Sequence, residues 1–164
     1  MSLKIIEVGL SRLDEILDIR MEVLANVFKE DYEKMSELEW QNLREENRFY
    51  YAKNLNNGGH IACFAYADDV LAGSGGICLY NEMPSPDNIN GKCGYLMNIY
   101  VREQYRNLGI GTEITNWLIA KAKEKEVMKI YLESSVCAKN MYHEIGFSDM
   151  KDYMMLGDKV LCKK

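Results

Sequence analysis

The chain is poor in the residues that metal sites and disordered segments draw on. Two histidines (His60 and His143) and two prolines are all that its 164 residues contain of either. So little imidazole leaves no histidine-rich metal site to build, and no metal is expected. With so little proline and no low-complexity tract, the disordered, collagen-like and linker-dominated classes are excluded. No apolar run approaches the roughly 20 residues needed to cross a bilayer, so no membrane partner is expected. Lysine and arginine form no cluster and the net charge is −5. Nucleic-acid binding by counterion release lacks its footprint, and an acidic surface suits a cationic small molecule better. The five cysteines (Cys63, Cys78, Cys93, Cys137, Cys162) are odd in number, widely spaced and without a C-x-x-C pair. Disulfide scaffolds and zinc modules are therefore not expected, and buried thiols in a reducing cytoplasm are. The opening stretch MSLKIIEV reads as a strand, not as a charged-then-apolar leader.

What is present is a hydrophobic fraction of 48% and a charged fraction of 27%, in a length that suits one domain over 1–164. Residues 3–8 read as a strand. Ser11 is expected to open a helix, with Asp14 as a first-turn acid and Leu13, Ile16, Leu17, Met21, Leu24 and Phe28 at helical spacing. A second helix is expected from Ser36, where Ser36 and Glu39 fit a capping box, toward Leu55, ending at Asn56-Asn57-Gly58-Gly59. His60–Ala67 and Val70–Tyr80 form a hairpin about Asp68-Asp69, and 81–93 carries both prolines and reads as a loop. Gly94–Val101 is apolar on both alternating faces, as a strand covered on both sides would be. From Ile110 the period becomes helical, and Lys121, Lys123 and Lys125 suit the negative end of that helix's dipole. Met128–Glu133 reads as a strand, Ala138–Ile145 as a short helix and Phe147–Leu161 as a pair of terminal strands. The predicted order is β-α-α-β-β-β-α-β-α-β-β, an α+β domain without repeat or linker.

The chemistry concentrates in Val101-Arg102-Glu103-Gln104-Tyr105-Arg106-Asn107-Leu108-Gly109-Ile110-Gly111-Thr112. Two glycines stand at a predicted helix N-terminus, where the first N–H groups lack intrahelical partners and the dipole favours an anion. By itself Gly109-x-Gly111 is more often an ordinary loop. The dinucleotide fingerprint is absent because its third glycine would fall at Ile114, and no Gly-Lys-Ser/Thr follows for a P-loop. What does match is Arg106-x-x-Gly109-x-Gly111 after a strand ending in Ile99-Tyr100-Val101. This resembles the acyl-CoA-binding signature of the GNAT superfamily of N-acetyltransferases. Downstream, Ala138-x-x-x-Tyr142-x-x-x-Gly146-Phe147 is similar to a second element of that family. At 100° per residue Ala138, Met141, Tyr142 and Ile145 share one face of a helix, and Lys139, Asn140, His143 and Glu144 the other.

The resemblance implies a central mixed, mostly antiparallel sheet with helices on both faces, and acetyl-CoA as co-substrate. It implies direct transfer of the acetyl group to a primary amine of a small molecule or peptide. Asn107, Leu108, Gly109, Ile110, Gly111 and Thr112 would hold the phosphates through backbone amides, with Arg106 supporting the loop. By the same resemblance the strand splays at a bulge, and amides of Ile99, Tyr100 and Val101 bind the pantetheine arm and the thioester oxygen. Ser135 and Ala138 line that arm, although the family often carries Asn where Ser135 stands. Tyr142 would protonate the departing thiolate, against the commoner fate of a core tyrosine with a wet tip. A homodimer through the segment around Tyr153 to Leu156 is a further expectation.

Two carboxylates, Glu133 and Glu82, are candidates for deprotonating the acceptor, although an ordinary solvated acid is the commoner reading of each. His143 is expected at the surface. Arg20 and Tyr32 lie in the N-terminal helical region where the family builds its acceptor site. Arg20 is one turn from Ile16 and Leu24 and can reach inward, but a solvated helix charge is the expected reading. A non-catalytic acyl-CoA sensor is the alternative from another class, and retention of Tyr142 favours the enzyme. A dinucleotide-dependent oxidoreductase is argued against by the missing third glycine.

Overall fold

The computed structural model describes residues 2–155. These fall into two compact units, one within Met1–Glu133 and a smaller one within Ser134–Lys164. The larger unit runs β1 (Leu3–Val8), α1 (Leu13–Val27), α2 (Lys29–Tyr32), α3 (Glu37–Asn57), β2 (His60–Ala67), β3 (Val70–Asn81), β4 (Lys92–Val101), α4 (Ile110–Glu124) and β5 (Lys129–Leu132). The smaller contains α5 (Lys139–Ile145), entered through a 3₁₀ turn over Val136–Ala138.

One sheet carries the larger unit, in the order β1-β2-β3-β4-β5. The first four strands are antiparallel neighbours, and β5 lies parallel to β4. The hairpin between β2 and β3 turns on Asp68 and Asp69, at φ +46° and +63°. Both central residues of a two-residue turn of this hand need positive φ, which Asp tolerates better than bulkier residues. At the start of α3 the capping box forms as expected: the Ser36 side chain accepts from Glu39 N–H, and the Glu39 carboxylate accepts from Ser36 N–H. Gly58 closes the helix at φ +77°.

α1 and α3 cover one face of the sheet, where Val8, Ile16, Leu17, Ile19, Val23, Tyr51, Ala62 and Phe64 form a buried core. α4 covers the other. Its close approach depends on Gly75, where a Cβ would fall 2.4 Å from Ile114 and 3.0 Å from Leu118. Ile114 and Leu118 are fully buried, so the helix packs directly on the β3 backbone.

Two local expectations change. Ser11 does not cap the first helix: it lies in a 3₁₀ turn over Leu10–Arg12, and α1 starts at Leu13 with Arg12 at the cap position. The Arg12 guanidinium instead reaches the Glu15 carboxylate at 2.6 Å and the Tyr66 hydroxyl at 2.7 Å, tying the helix start to β2. The terminal strands expected over Phe147–Leu161 are absent from their described part, since 147–155 holds neither helix nor strand. Gly146 ends α5 in a left-handed turn at φ +115°. Asp149 then folds back onto the helix, accepting from Lys139 at 3.0 Å and meeting His143 at 3.1 Å, so the chain does not extend. Residues 156–161 lie outside the described residues. No helix among the described residues is long and apolar enough to cross a membrane.

Candidate active site

The ladder between β3 and β4 is broken at one point. Ser74 pairs with Tyr100 and Gly76 with Met97, so β4 holds one residue more than β3 across the gap. The extra residue is accommodated at Asn98, with φ +58°. This is a β-bulge, which twists the strand and re-aims the side chains around it. On the other side, β5 pairs with β4 only from Cys93 to Leu96. From Met97 to Val101 the outer edge of β4 therefore has no strand partner among the described residues, and Ile99, Tyr100 and Val101 stand on that free edge.

β4 leads through a 3₁₀ turn over Glu103–Tyr105 to the start of α4. Asn107 sits at φ +60° and Gly109 at φ +78°, in the cap position of α4. These two positive-φ residues turn the backbone at the entrance to α4. Residues 106–107 form a turn, and the N–H groups of Ile110, Gly111 and Thr112, the first of α4, have no acceptor among the described residues, whereas Glu113 donates to Gly109 O at 3.1 Å. The space beside Gly109 is open, with no atom within 4 Å of where its Cβ would be. Arg106 donates from Nε to Val101 O at 3.1 Å and so braces the loop. The residues expected to hold phosphates therefore lie at and just before the N-terminus of α4, where helix amides lack intrahelical partners.

The face of the sheet under α1 and α3 carries a second group of polar and aromatic residues. Arg20 leaves α1 toward β4, donating from Nη1 to Asn98 Oδ1 at 3.0 Å and from Nε to Asn47 Oδ1 at 3.1 Å. It is not the solvated helix charge expected: the side chain is half-buried, and desolvation pulls the guanidinium below its ordinary value. Tyr50 and Tyr51 of α3 stack edge-on against His60, whose Nδ1 lies 3.0 Å from the Tyr50 hydroxyl. His60 is 3% exposed and its Nε2 has no partner. Burial depresses its pKa to about 4. Further along, Tyr80, Tyr95 and Tyr131 meet in edge-to-face contacts with ring centroids 6.3 and 5.1 Å apart.

The two candidate bases differ. Glu82 is paired with Lys129 at 2.9 Å, which holds its carboxyl below the usual range. Glu133, exposed at the end of β5, lies close enough to Tyr95 that its charge adds to burial in raising that phenol. Tyr32 meets Trp40 in a tilted contact, with centroids 4.6 Å apart and ring planes at 59°.

In the smaller unit, the helical faces fall as the spacing predicts. Tyr142 is 7% exposed, Ala138, Met141 and Ile145 are half-buried, and Lys139, Asn140, His143 and Glu144 are exposed. The Tyr142 ring meets Phe147 edge-on with centroids 5.8 Å apart, and burial raises its phenol pKa. Ser135 is exposed, with its hydroxyl 3.2 Å from the Cys137 thiol. Among the described residues no group of three or more His, Cys, Asp or Glu gathers to hold a metal.

Asn98, Asn47, Tyr95 and Tyr131 belong to this polar and aromatic group, and sequence reasoning passed over them. Asn98 had a signal: it is the one polar side chain within the apolar run Gly94–Val101 and a residue type that accepts positive φ. Asn47 and the tyrosines become neighbours only through tertiary structure.

The described residues thus form a five-stranded sheet whose bulged β4 loses its β5 partner after Leu96, with α4 starting nine residues beyond the end of that strand. Residues 21–147 match the family model of the acetyltransferase (GNAT) family, and the chain belongs to that family. An N-alpha-acetyltransferase from Sulfurisphaera tokodaii is 39% identical over 64 residues, covering 37% of this chain and 38% of that protein's length. A Clostridium acetobutylicum protein named as an acetyltransferase and solved with acetyl-CoA superposes with a TM-score of 0.80 at 22% identity, over 95% of this chain and 96% of its own. A GCN5-related N-acetyltransferase from Ralstonia eutropha superposes with a TM-score of 0.76 at 18% identity, over 94% and 98%. These solved structures bear out the expected fold.

Proposed function

We propose that this protein is an N-acetyltransferase that moves an acetyl group from acetyl-CoA to a primary amine of a small molecule or peptide by direct transfer, both units acting as one domain. The observation that carries the reading is the helix N-terminus at 107–112, with its open space beside Gly109 and the unpartnered first amides of α4, placed a few residues after the unpaired outer edge of β4. Those amides would hold the phosphates of acetyl-CoA, with Arg106 bracing them. The outer edge of Ile99, Tyr100 and Val101, beyond the reach of β5, would align the pantetheine arm and donate to the thioester oxygen. Donors of this kind are typically worth about 3–4 kcal/mol each when charge develops on the oxygen. Ser135 and Ala138 are assigned to the arm by the family match.

Acetyl-CoA supplies the activated acetyl group; the chain must manage two protons. A lysine-like acceptor has a pKa of about 10.4, so presenting it neutral at pH 7 costs about 4.6 kcal/mol at 1.36 per unit. Glu133 is the better-supported base, because Glu82 is already committed to Lys129. Tyr142, kept protonated by burial, is assigned to the departing thiolate. A homodimer through the exposed segment Tyr153, Met154 and Met155 belongs to the same proposal, and sedimentation at micromolar concentration tests it.

The test is thiol release from acetyl-CoA across a panel of primary amines, with thermal stability measured beside it. Stabilisation by acetyl-CoA together with amine-dependent thiol release supports the proposal. Stabilisation without release on any amine would make the chain a cofactor-binding sensor, and absence of both would remove the reading.

A further inference from the structure

The arginines divide by what they face. Of the chain's six, four pair with a carboxylate of α1: Arg12 with Glu15, Arg44 with Asp18, Arg48 with Asp14 and Arg102 with Glu22. Two have no carboxylate within ion-pair distance among the described residues. One is Arg106, in the amide cradle. The other is Arg20, whose neighbours lie on α3 (Asn47, Tyr50, Tyr51) and on the sheet face beneath it (Asn98).

Arg20 is the more costly of the two. Arg106 is exposed, whereas Arg20 is half-buried and every acid on its own helix is bonded to another arginine. Its hydrogen-bond partners are the neutral side-chain oxygens of Asn47 and Asn98. A planar guanidinium carries five N–H donors, so two neutral acceptors leave most of the fork and all of the charge uncompensated. Tyr50, Tyr51 and His60 lie within electrostatic range of it, and neutral His60 offers no negative charge. Arg20 is also placed with purpose. Asn98 is the bulge residue, immediately before Ile99, so the guanidinium is anchored at the break in the β3–β4 register, just beyond the end of the pairing with β5. A fork with free donors in a partly dry site is the geometry that binds carboxylate or phosphate at two points.

We infer that Arg20 binds an oxyanion of the acceptor, so that the substrates of this protein are amines that also carry a carboxylate or phosphate. Asn47 and Asn98 hold the guanidinium in position, and Tyr50 sits beside it. The inference rests on the acetyl-transfer reading for the identity of the second substrate, and on the geometry around Arg20 for its charge.

The experiment is equilibrium binding to the CoA-saturated protein of amine twins that differ by one oxyanion. Suitable twins are an amino acid and its amide, a dipeptide and its C-terminal amide, and phosphoethanolamine and ethanolamine. Acetyl-CoA affinity is measured in parallel by calorimetry. At least one oxyanion member should bind about tenfold or more tightly than its neutral twin, the range expected of a charge-assisted hydrogen bond. Which set shows the gap tells carboxylate from phosphate. Arg20→Gln should erase the gap while acetyl-CoA affinity stays within about twofold, and Arg20→Lys, which keeps the charge but not the fork, should retain only part of it. If no oxyanion member outbinds its twin, or if the gap survives in Arg20→Gln, the inference fails. It fails also if Arg20→Gln loses acetyl-CoA affinity, since Arg20 would then be a clamp on the bulge. Failure of acetyl-CoA to bind the wild-type protein would instead overturn the acetyl-transfer reading.

Discussion

Arg102 and Glu22 meet at two points, Nε to Oε1 at 3.0 Å and Nη2 to Oε2 at 2.7 Å, while Arg102 Nη1 donates to Leu71 O at 3.0 Å. The pair ties α1 to the exit of β4, one turn before the amide cradle. Hydrogen bonding to Arg102 holds the Glu22 carboxyl below its ordinary value. A carboxyl depressed in the folded state contributes stability that is fully present above its unfolded pKa of about 4.3 and is lost as pH falls through the lower folded value. Arg102→Met should cost about 1–2 kcal/mol at neutral pH, less than a fully buried pair because both side chains remain partly exposed. Urea unfolding of the variant checks this, and an unchanged midpoint would contradict it.

His60 works over a different window. Buried against Tyr50 and Tyr51 and depressed to about 4, it stays neutral in the fold while the unfolded chain protonates near pH 6.5. The unfolded state therefore binds more protons between these values, and stability falls as pH drops from about 6.5 to about 4. From pH 7 to pH 5 the loss should be about 2 kcal/mol. His60→Gln should flatten most of that slope in urea titrations at the two pH values. An equally steep slope in the variant would show that another group titrates there.

Tyr142→Phe keeps the ring and its contact with Phe147 and removes only the hydroxyl. With an acceptor in hand, kcat should fall by about 10²–10⁴-fold while acetyl-CoA affinity stays nearly constant. A loss below about threefold would return Tyr142 to a packing role, since a thiol of pKa about 8.5 leaves tolerably unaided.

The elements that position the cradle were legible because their signals are local. The capping box at Ser36, the Asp68-Asp69 turn, the glycine pair before α4 and the faces of α5 all depend on residues within one turn of each other. Ser11 misled because a plausible cap lost to the Arg12 contacts with Glu15 and Tyr66, and Tyr66 lies 54 residues away. The terminal strand pattern around Phe147 gave way to Asp149 bonding back to α5, a tertiary choice that alternation cannot foresee. Arg20 was misjudged for a related reason. Its helical position left a solvated charge as the simpler outcome, and only the fold brings Asn47 and Asn98 to it while directing each acid of α1 to a different arginine.

The cradle is tested most directly by calorimetric titration of acetyl-CoA into the wild-type protein and Gly109→Asp. Gly109 lies at φ +78° with open space beside it, a conformation that Asp accepts more readily than most residues. The variant should therefore fold, with its melting temperature within a few degrees of wild type, while its carboxylate occupies the position where phosphate would sit. Wild-type protein should bind acetyl-CoA and gain about 2.7 kcal/mol of stability at a hundredfold excess over Kd; folded Gly109→Asp should show neither heat of binding nor stabilisation. Undiminished affinity in the folded variant would contradict the assignment of 107–112 as the phosphate site.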